Sequence, residues 1–209
     1  MKGADLRAWI SGHLDPLEAQ EGGVFQSDVV LDPGSPADDA TPITPAAVLV
    51  ALVEREAGLT VILTRRADTL RRHTGQVAFP GGASEPGEAP WITALREAEE
   101  EIGLDPAAVA LAGLSTPYRT GTGFMVTPVV GFVAPPIRLN PNPAEVAAIF
   151  ETPFGFLMDP ANHEEHERET PEGTRRRFYA MTWEDRFIWG ATAGMLRALY
   201  DRLYGAAVA

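Results

Sequence analysis

The sequence holds no cysteine and a single lysine, Lys2, among its 209 residues. The first absence excludes disulfides, thiolate metal sites and a cysteine nucleophile. The second leaves nearly all positive charge to arginine, whose planar guanidinium meets phosphate oxygens in pairs; a codon bias towards arginine explains the same composition without any ligand. No apolar run approaches the ~20 residues of a membrane-spanning helix, so no membrane partner is expected. Met1 to Leu14 mixes charges and lacks the continuous apolar stretch of a signal peptide. The closing Ala206-Ala207-Val208-Ala209 is not a peroxisomal tripeptide. A cytoplasmic protein is the expectation. Net positive charge is also lacking: the formal charge is −12, which argues against nucleic-acid binding. A small anionic substrate remains open, provided arginines gather locally or divalent cations take part.

What is present fits a globular chain, with 45% hydrophobic and 22% charged residues. Ala4 to His13 reads as a short helix, and Asp32 to Pro45 as a loop rich in Pro, Asp and Gly. Residues 1–45 are thus a lead-in, and 46–209 the main domain. Ala46 to Val53 and Leu59 to Thr64 form a β-branched pair of runs around Glu54 to Gly58, a hairpin signal. Gln76 to Phe79 suggests a short strand before Pro80-Gly81-Gly82. A helix is predicted from Pro90 to Ile102, with proline in its first turn and Gly103 at its end. Strands are predicted over Val109 to Leu114 and Phe124 to Val133, where Pro128 suggests an edge or a bulge. His166 to Tyr179 reads as a polar hairpin around Pro171-Glu172-Gly173, and Ala191 to Tyr204 as a closing helix with Met195, Leu196, Leu199 and Leu203 inward. Mixed strands with few helices point to α/β or α+β with a partly antiparallel sheet.

The helix from Pro90 carries the chemistry. At about 100° per residue, Glu97, Glu100 and Glu101 share a sector roughly 100° wide. Trp91, Ala94, Leu95, Ala98 and Ile102 form the apolar stripe beside it. Like charges one turn apart disfavour the helix by a few tenths of a kcal/mol, and its C-terminal end disfavours negative charge further. Arg96 pairs with Glu100 across one turn but cannot neutralise three carboxylates. Hard divalent cations, Mg²⁺ or Mn²⁺ for phosphate chemistry, would do so. Taken alone, the string Arg96 to Glu101 reads rather as a solvated acidic face.

The wider spacing decides between them. Gly82, Glu88 six residues on, Arg96-Glu97-Ala98 after a further eight, and Glu100-Glu101-Ile102-Gly103-Leu104 resemble the Nudix box, G-x5-E-x7-R-E-U-x-E-E-x-G-U. Ala98 stands where the family usually has a larger aliphatic. The resemblance implies an α/β/α sandwich with a mixed sheet, and metal-dependent hydrolysis of a nucleoside diphosphate derivative. It implies Glu97 and Glu101 as metal ligands, the Gly81 carbonyl as a further one, and Glu100 as ligand or base. Arg96 would orient the carboxylates, Glu88 would brace the loop, and Gly82 lets the backbone turn and approach closely.

A second pattern lies upstream. Ile62-Leu63-Thr64-Arg65-Arg66-Ala67, Arg71, Gly75 and Phe79-Pro80-Gly81-Gly82 are similar to the signature of Nudix coenzyme A pyrophosphatases, with Ile62 for leucine the one departure. Ile188 to Ala193 looks like that subfamily too. The resemblance implies cleavage of coenzyme A, or a derivative, to adenosine 3′,5′-bisphosphate and 4′-phosphopantetheine. Arg66 and Arg71, at a strand end and in the next loop, are placed to meet phosphates, or to pair with carboxylates. Phe79 reads as core. Glu145 is a second candidate base, or else an exposed carboxylate starting a helix. The alternatives are a Nudix pyrophosphatase acting on ADP-ribose, NADH or a nucleotide sugar, and a non-catalytic binding module of the same fold. His163 to His166 reads as a solvated loop rather than a metal site, and Arg175 to Arg177 as partners of Glu167 and Glu169 across the hairpin ahead of a phosphate clamp, with a substrate-gating role left open.

Overall fold

The structure, a computed structural model, describes residues 4–18, 25–27, 43–67, 75–169, 173 and 175–205. Arg71, most of the Asp32 to Pro45 loop and the tip at Pro171-Glu172 lie outside the described residues.

The apolar, β-branched content of β2 (Thr44–Arg55) and β3 (Gly58–Arg66) builds the hairpin expected of them, paired antiparallel through Leu52↔Val61 to Arg55↔Gly58. β2 lies parallel to β8 (Phe124–Val133) over ten residue pairs from Thr44↔Phe124 to Val53↔Val133. β8 also holds β6 (Val109–Leu114) and β7 (Tyr118–Arg119) antiparallel on its other side. β7 pairs with β1 (Gln26–Ser27), while β3 carries β4 (Val77–Ala78) and β9 (Val146–Pro153). β5 (Gly81–Ala83) pairs with the start of β2, giving nine strands in one mixed sheet among the described residues.

Pro128 therefore sits in an interior strand, contrary to the edge or bulge expected of it. Its carbonyl accepts the Ser115 N–H at 2.8 Å, where β6 has ended and β7 has not begun. The N–H that proline lacks would point into that same gap, so no ladder bond is lost.

Side chains alternate across β2 and separate two cores. Val50 and Leu52 join Ile10, Leu63, Leu157 and Leu196 on one face. Leu49, Ala51 and Val53 join Ala94, Ala98, Ile102 and Val129 on the other. The second face is covered by α2 (Pro90–Ile102). The first is covered by α4 (Ala191–Tyr204), with α1 (Ala4–Gly12) and the short α3 (Phe154–Leu157) beside it. The result is the α/β/α sandwich with a mixed sheet. α1 is tied to α4 as well as packed: Arg202 donates to the His13 carbonyl and to Asp15 at 2.6 Å. In α2, Trp91 and Leu95 are only half-buried, while Thr93 and Glu101 are buried.

A second, three-stranded antiparallel sheet, β10 (Glu164–Glu169), β11 (Arg175–Trp183) and β12 (Arg186–Trp189), stands apart from the first. His163, expected in a solvated loop, is instead buried, with its Nε2 bonded to the Leu157 carbonyl at 2.8 Å.

Candidate active site

β5 runs between β2 and α2 so closely that its glycines leave no room for a side chain. At Gly81, with φ +156°, a Cβ would collide with the Ala47 carbonyl oxygen. At Gly82 it would lie 2.5 Å from the Glu97 carboxylate. Two glycines are thus what lets the loop meet the acidic face of the helix.

The loop is braced by Glu88. It accepts from Arg96 Nε at 2.9 Å and Nη2 at 3.0 Å, from the Thr93 hydroxyl at 2.8 Å, and from the Glu85 N–H at 3.0 Å. The Arg96 guanidinium dominates and pulls the Glu88 carboxyl down to about 2, and the same bonds raise the pKa of Arg96. Arg96 also donates to Glu97 at 2.8 Å, to Glu100 at 3.3 Å and to the Ala83 carbonyl at 3.3 Å. One guanidinium therefore joins loop, brace and two of the three helix carboxylates.

The three carboxylates are not equivalent. Glu100 is solvent-facing, with 56% of its side chain exposed. Glu97 is largely covered, and burial raises its pKa against the opposing pull of Arg96. Glu101 is only 4% exposed. Burial drives its pKa up to about 7, opposed by the Gly81 N–H at 3.2 Å and by Arg66 Nη1 at 3.8 Å, and assisted by Glu97 and Glu145. Glu145 is half-buried and lies immediately ahead of β9, so no helix starts there. It faces this group closely enough to raise both Glu97 and Glu101. Asn142 Nδ2 holds its Oε1 at 3.3 Å, and its own carbonyl accepts from the Ala67 N–H just beyond β3. Among the described residues no three Asp, Glu or His side chains are already gathered to hold a metal ion; arginines and the Gly81 amide engage the carboxylates.

Arg66, the last residue of β3, lies beside Glu101 with its Nε buried and without a hydrogen-bond partner. It opens onto a cavity of about 700 Å³, whose wall runs from Gly81 and Gly82 past Phe79 to Trp189 and the β10–β11 hairpin. Phe79 is core, as expected, at 3% exposure, with one surface on the cavity.

Residues 43–178 match the NUDIX domain family. The chain belongs to the Nudix family. It is 44% identical over 159 residues to a Cronobacter sakazakii protein described as the uncharacterized Nudix hydrolase NudL, covering 74% of this chain and 80% of that one. The corresponding Yersinia pestis protein is 42% identical over 159 residues, covering 76% and 79%. Among solved structures it is similar to the Nudix hydrolase RenU of M. smegmatis, with 26% identity, TM-score 0.46, and 54% and 71% of the two chains covered. It is also similar to a C. elegans Ap4A hydrolase, with 18% identity, TM-score 0.47, and 53% and 80% covered. This Nudix chain is thus a hydrolase of a nucleoside diphosphate derivative, in a family that generally uses divalent metal ions. Among the described residues, no helix is long and apolar enough to cross a membrane.

Two site features of the Nudix chain escape a reading of its sequence. The cavity wall formed by Arg168, Arg176 and Trp189 depends on a strand register that sequence does not fix. The turn Thr120–Gly123, which faces the same cavity, carries only an ordinary Gly-Thr-Gly turn signal.

Proposed function

We propose that the chain hydrolyses the diphosphate bond of coenzyme A, or a derivative of it, to adenosine 3′,5′-bisphosphate and 4′-phosphopantetheine. The position of Arg66 carries this reading. The upstream motif that contains it resembles the coenzyme A branch, and the residue stands against Glu101 with an unpartnered buried Nε on the cavity. A guanidinium so placed is suited to a phosphate oxygen. Arg71 of the same motif would supply a second cation.

The donor set suits a hard divalent cation. It consists of carboxylate oxygens on adjacent turns, one of them buried, with Gly82 keeping the space before Glu97 clear. Glu97 and Glu101 would hold Mg²⁺ or Mn²⁺, with the Gly81 carbonyl and Glu100 as further ligands. When bound, the ion would supply Lewis-acid charge to the phosphoryl oxygens and acidify the attacking water. Arg96 orients Glu97 and Glu100, and Glu88 orients Arg96. Glu145 accepts the water proton at Oε2, since its Oε1 is held by Asn142; Glu100, exposed and tied to Arg96, is the other candidate base. Residues 46–209 would be the hydrolase domain and 1–45 a lead-in whose α1 and β1 pack onto it, and cytoplasmic coenzyme A would be the pool it meets.

A substrate panel of coenzyme A, its acyl esters, ADP-ribose and NADH, each with Mg²⁺ or Mn²⁺, tests this reading. Coenzyme A or an ester should give the bisphosphate with the highest kcat/KM. Preferred turnover of ADP-ribose or NADH would contradict it. In the same assay Glu145→Gln should lower kcat by about 10²–10⁴-fold, the range for a general base; such a loss in Glu100→Gln alone would move the proton to Glu100.

A further inference from the structure

The β10–β11 hairpin carries alternating charge, and its two faces differ in how that charge is met. Residues in register across the pair share a face. Glu165, Glu167 and Glu169 stand opposite Tyr179, Arg177 and Arg175. On that face the charges are opposite and paired: Arg175 Nη1 lies 3.7 Å from Glu167, and Arg177 Nη1 lies 3.4 Å from Glu165. Arg177 thus reaches Glu165, one diagonal away from the Glu167 in register with it.

The other face reverses this. Arg168 stands directly opposite Arg176, and neither has a carboxylate partner among the described residues. Like charges directly opposed across a strand pair are destabilising. A glutamate in place of either arginine would have completed the opposite-charge pattern of the first face. Both arginines line the cavity that Arg66, Gly81 and Gly82 also line. Arg168 lies over the Trp189 ring, 5.8 Å from its centroid. Arg176 Nη1 lies over Gly121, where an added Cβ would be 3.5 Å from it. Beside Gly121, the Thr120 and Thr122 hydroxyls share a hydrogen bond of 3.0 Å. Two guanidiniums without a carboxylate partner among the described residues, a hydroxyl pair and an aromatic face therefore border the same cavity as Arg66.

We infer that Arg168 and Arg176 form a second anion seat, which takes a phosphomonoester on the part of the substrate that is not cleaved. This rests on the coenzyme A reading above, in which the 3′-phosphate is that group. Arg66 and the glutamate helix address the scissile diphosphate; Arg168 and Arg176 select substrates bearing the additional phosphate. They are specificity-determining residues rather than participants in bond breaking. An anion between them would also relieve the repulsion that the hairpin bears without it.

Two measurements on the full chain separate this inference from the function it rests on. Calorimetric titration with adenosine 3′,5′-bisphosphate and with adenosine 5′-phosphate, in Mg²⁺, reads the seat without turnover. The bisphosphate should bind at least tenfold more tightly, and Arg168→Gln with Arg176→Gln should bring the ratio near one. Arg176→Lys should restore part of it, which a misfolded hairpin would not. In turnover, the ratio of kcat/KM for coenzyme A to that for its 3′-dephospho form should collapse in the same double variant, mainly through KM. A wild-type ratio retained in the double variant, or no discrimination by the wild type, would overturn the inference. Discrimination of the nucleotides with no coenzyme A turnover would leave the seat standing and remove the substrate assignment.

Discussion

Glu88 joins the loop to the helix through one buried-edge carboxylate with donors from Arg96, Thr93 and Glu85. Because Arg96 holds it near 2, it is ionised in the folded state well below the ordinary carboxylate range. Its stabilising contribution is complete above its unfolded value and is lost as pH falls through about 4.5 towards 2. Glu88→Gln should therefore cost about 2 kcal/mol at pH 7, the usual scale for charge-assisted bonds. The deficit should shrink towards zero as the pH approaches 2. Urea melts of both proteins across that range check it; a deficit that does not shrink with acid would dissociate the brace from its charge. At this scale much was legible from sequence. Fixed spacing identified Glu88, Arg96, Glu97, Glu100 and Glu101, because a helix and a tight turn translate spacing directly into position. The inequality of the three glutamates was not legible. Whether a carboxylate at the border of the apolar stripe is covered depends on Gly81, Arg66 and the β9 approach, which the helix alone does not encode.

At the scale of elements, α2 illustrates why some boundaries can be read and others cannot. Gly103 ends it in the left-handed conformation, φ +65°, and its N–H returns to the Glu99 carbonyl at 2.9 Å. An added Cβ would lie 3.2 Å from the backbone of Asn140, so Gly103→Ala has both a strained φ and a tight contact. It should lower stability by about 1–2 kcal/mol, seen as a reduced urea midpoint with unchanged m-value. An unaltered midpoint would mean that the cap contributes nothing. Helices α2 and α4, and strands β6 and β8, have the bounds their sequence patterns suggest, because proline, glycine and apolar periodicity act locally. β9 carries no plain strand signal, since Glu151 interrupts the short apolar run Val146 to Phe150; β3 and its own edge charges hold it, with Arg55 pairing Glu151. Pro128 misled for the same reason. Its tolerance comes from a gap between two other strands, a fact of tertiary arrangement. The paired face of β10–β11 could be anticipated from opposite charges, and the unpaired one only from the register.

Taken whole, the molecule sets its glutamate helix behind one end of a cavity that arginines line: Gly81 and Gly82, which touch Glu101 and Glu97, border it together with Arg66, Arg168 and Arg176. The sheet separates two cores, and α2 brings its carboxylates to the edge where β3, β5 and β9 converge. The β10–β12 sheet faces the same space with arginine and tryptophan. A chain of formal charge −12 thus receives an anionic substrate through local arrangement rather than net charge. The site asks for counter-charge at Glu97 and Glu101, where burial raises both carboxyl groups. The decisive measurement is coenzyme A turnover by wild type, Glu97→Gln and Glu101→Gln, titrated with Mg²⁺ from excess EDTA, with thermal melts confirming that each is folded. The expected result is wild-type turnover absent in EDTA and restored by the cation, with both folded variants remaining at least about 10²-fold slower at saturation. Full turnover in EDTA, or in either variant, would contradict it.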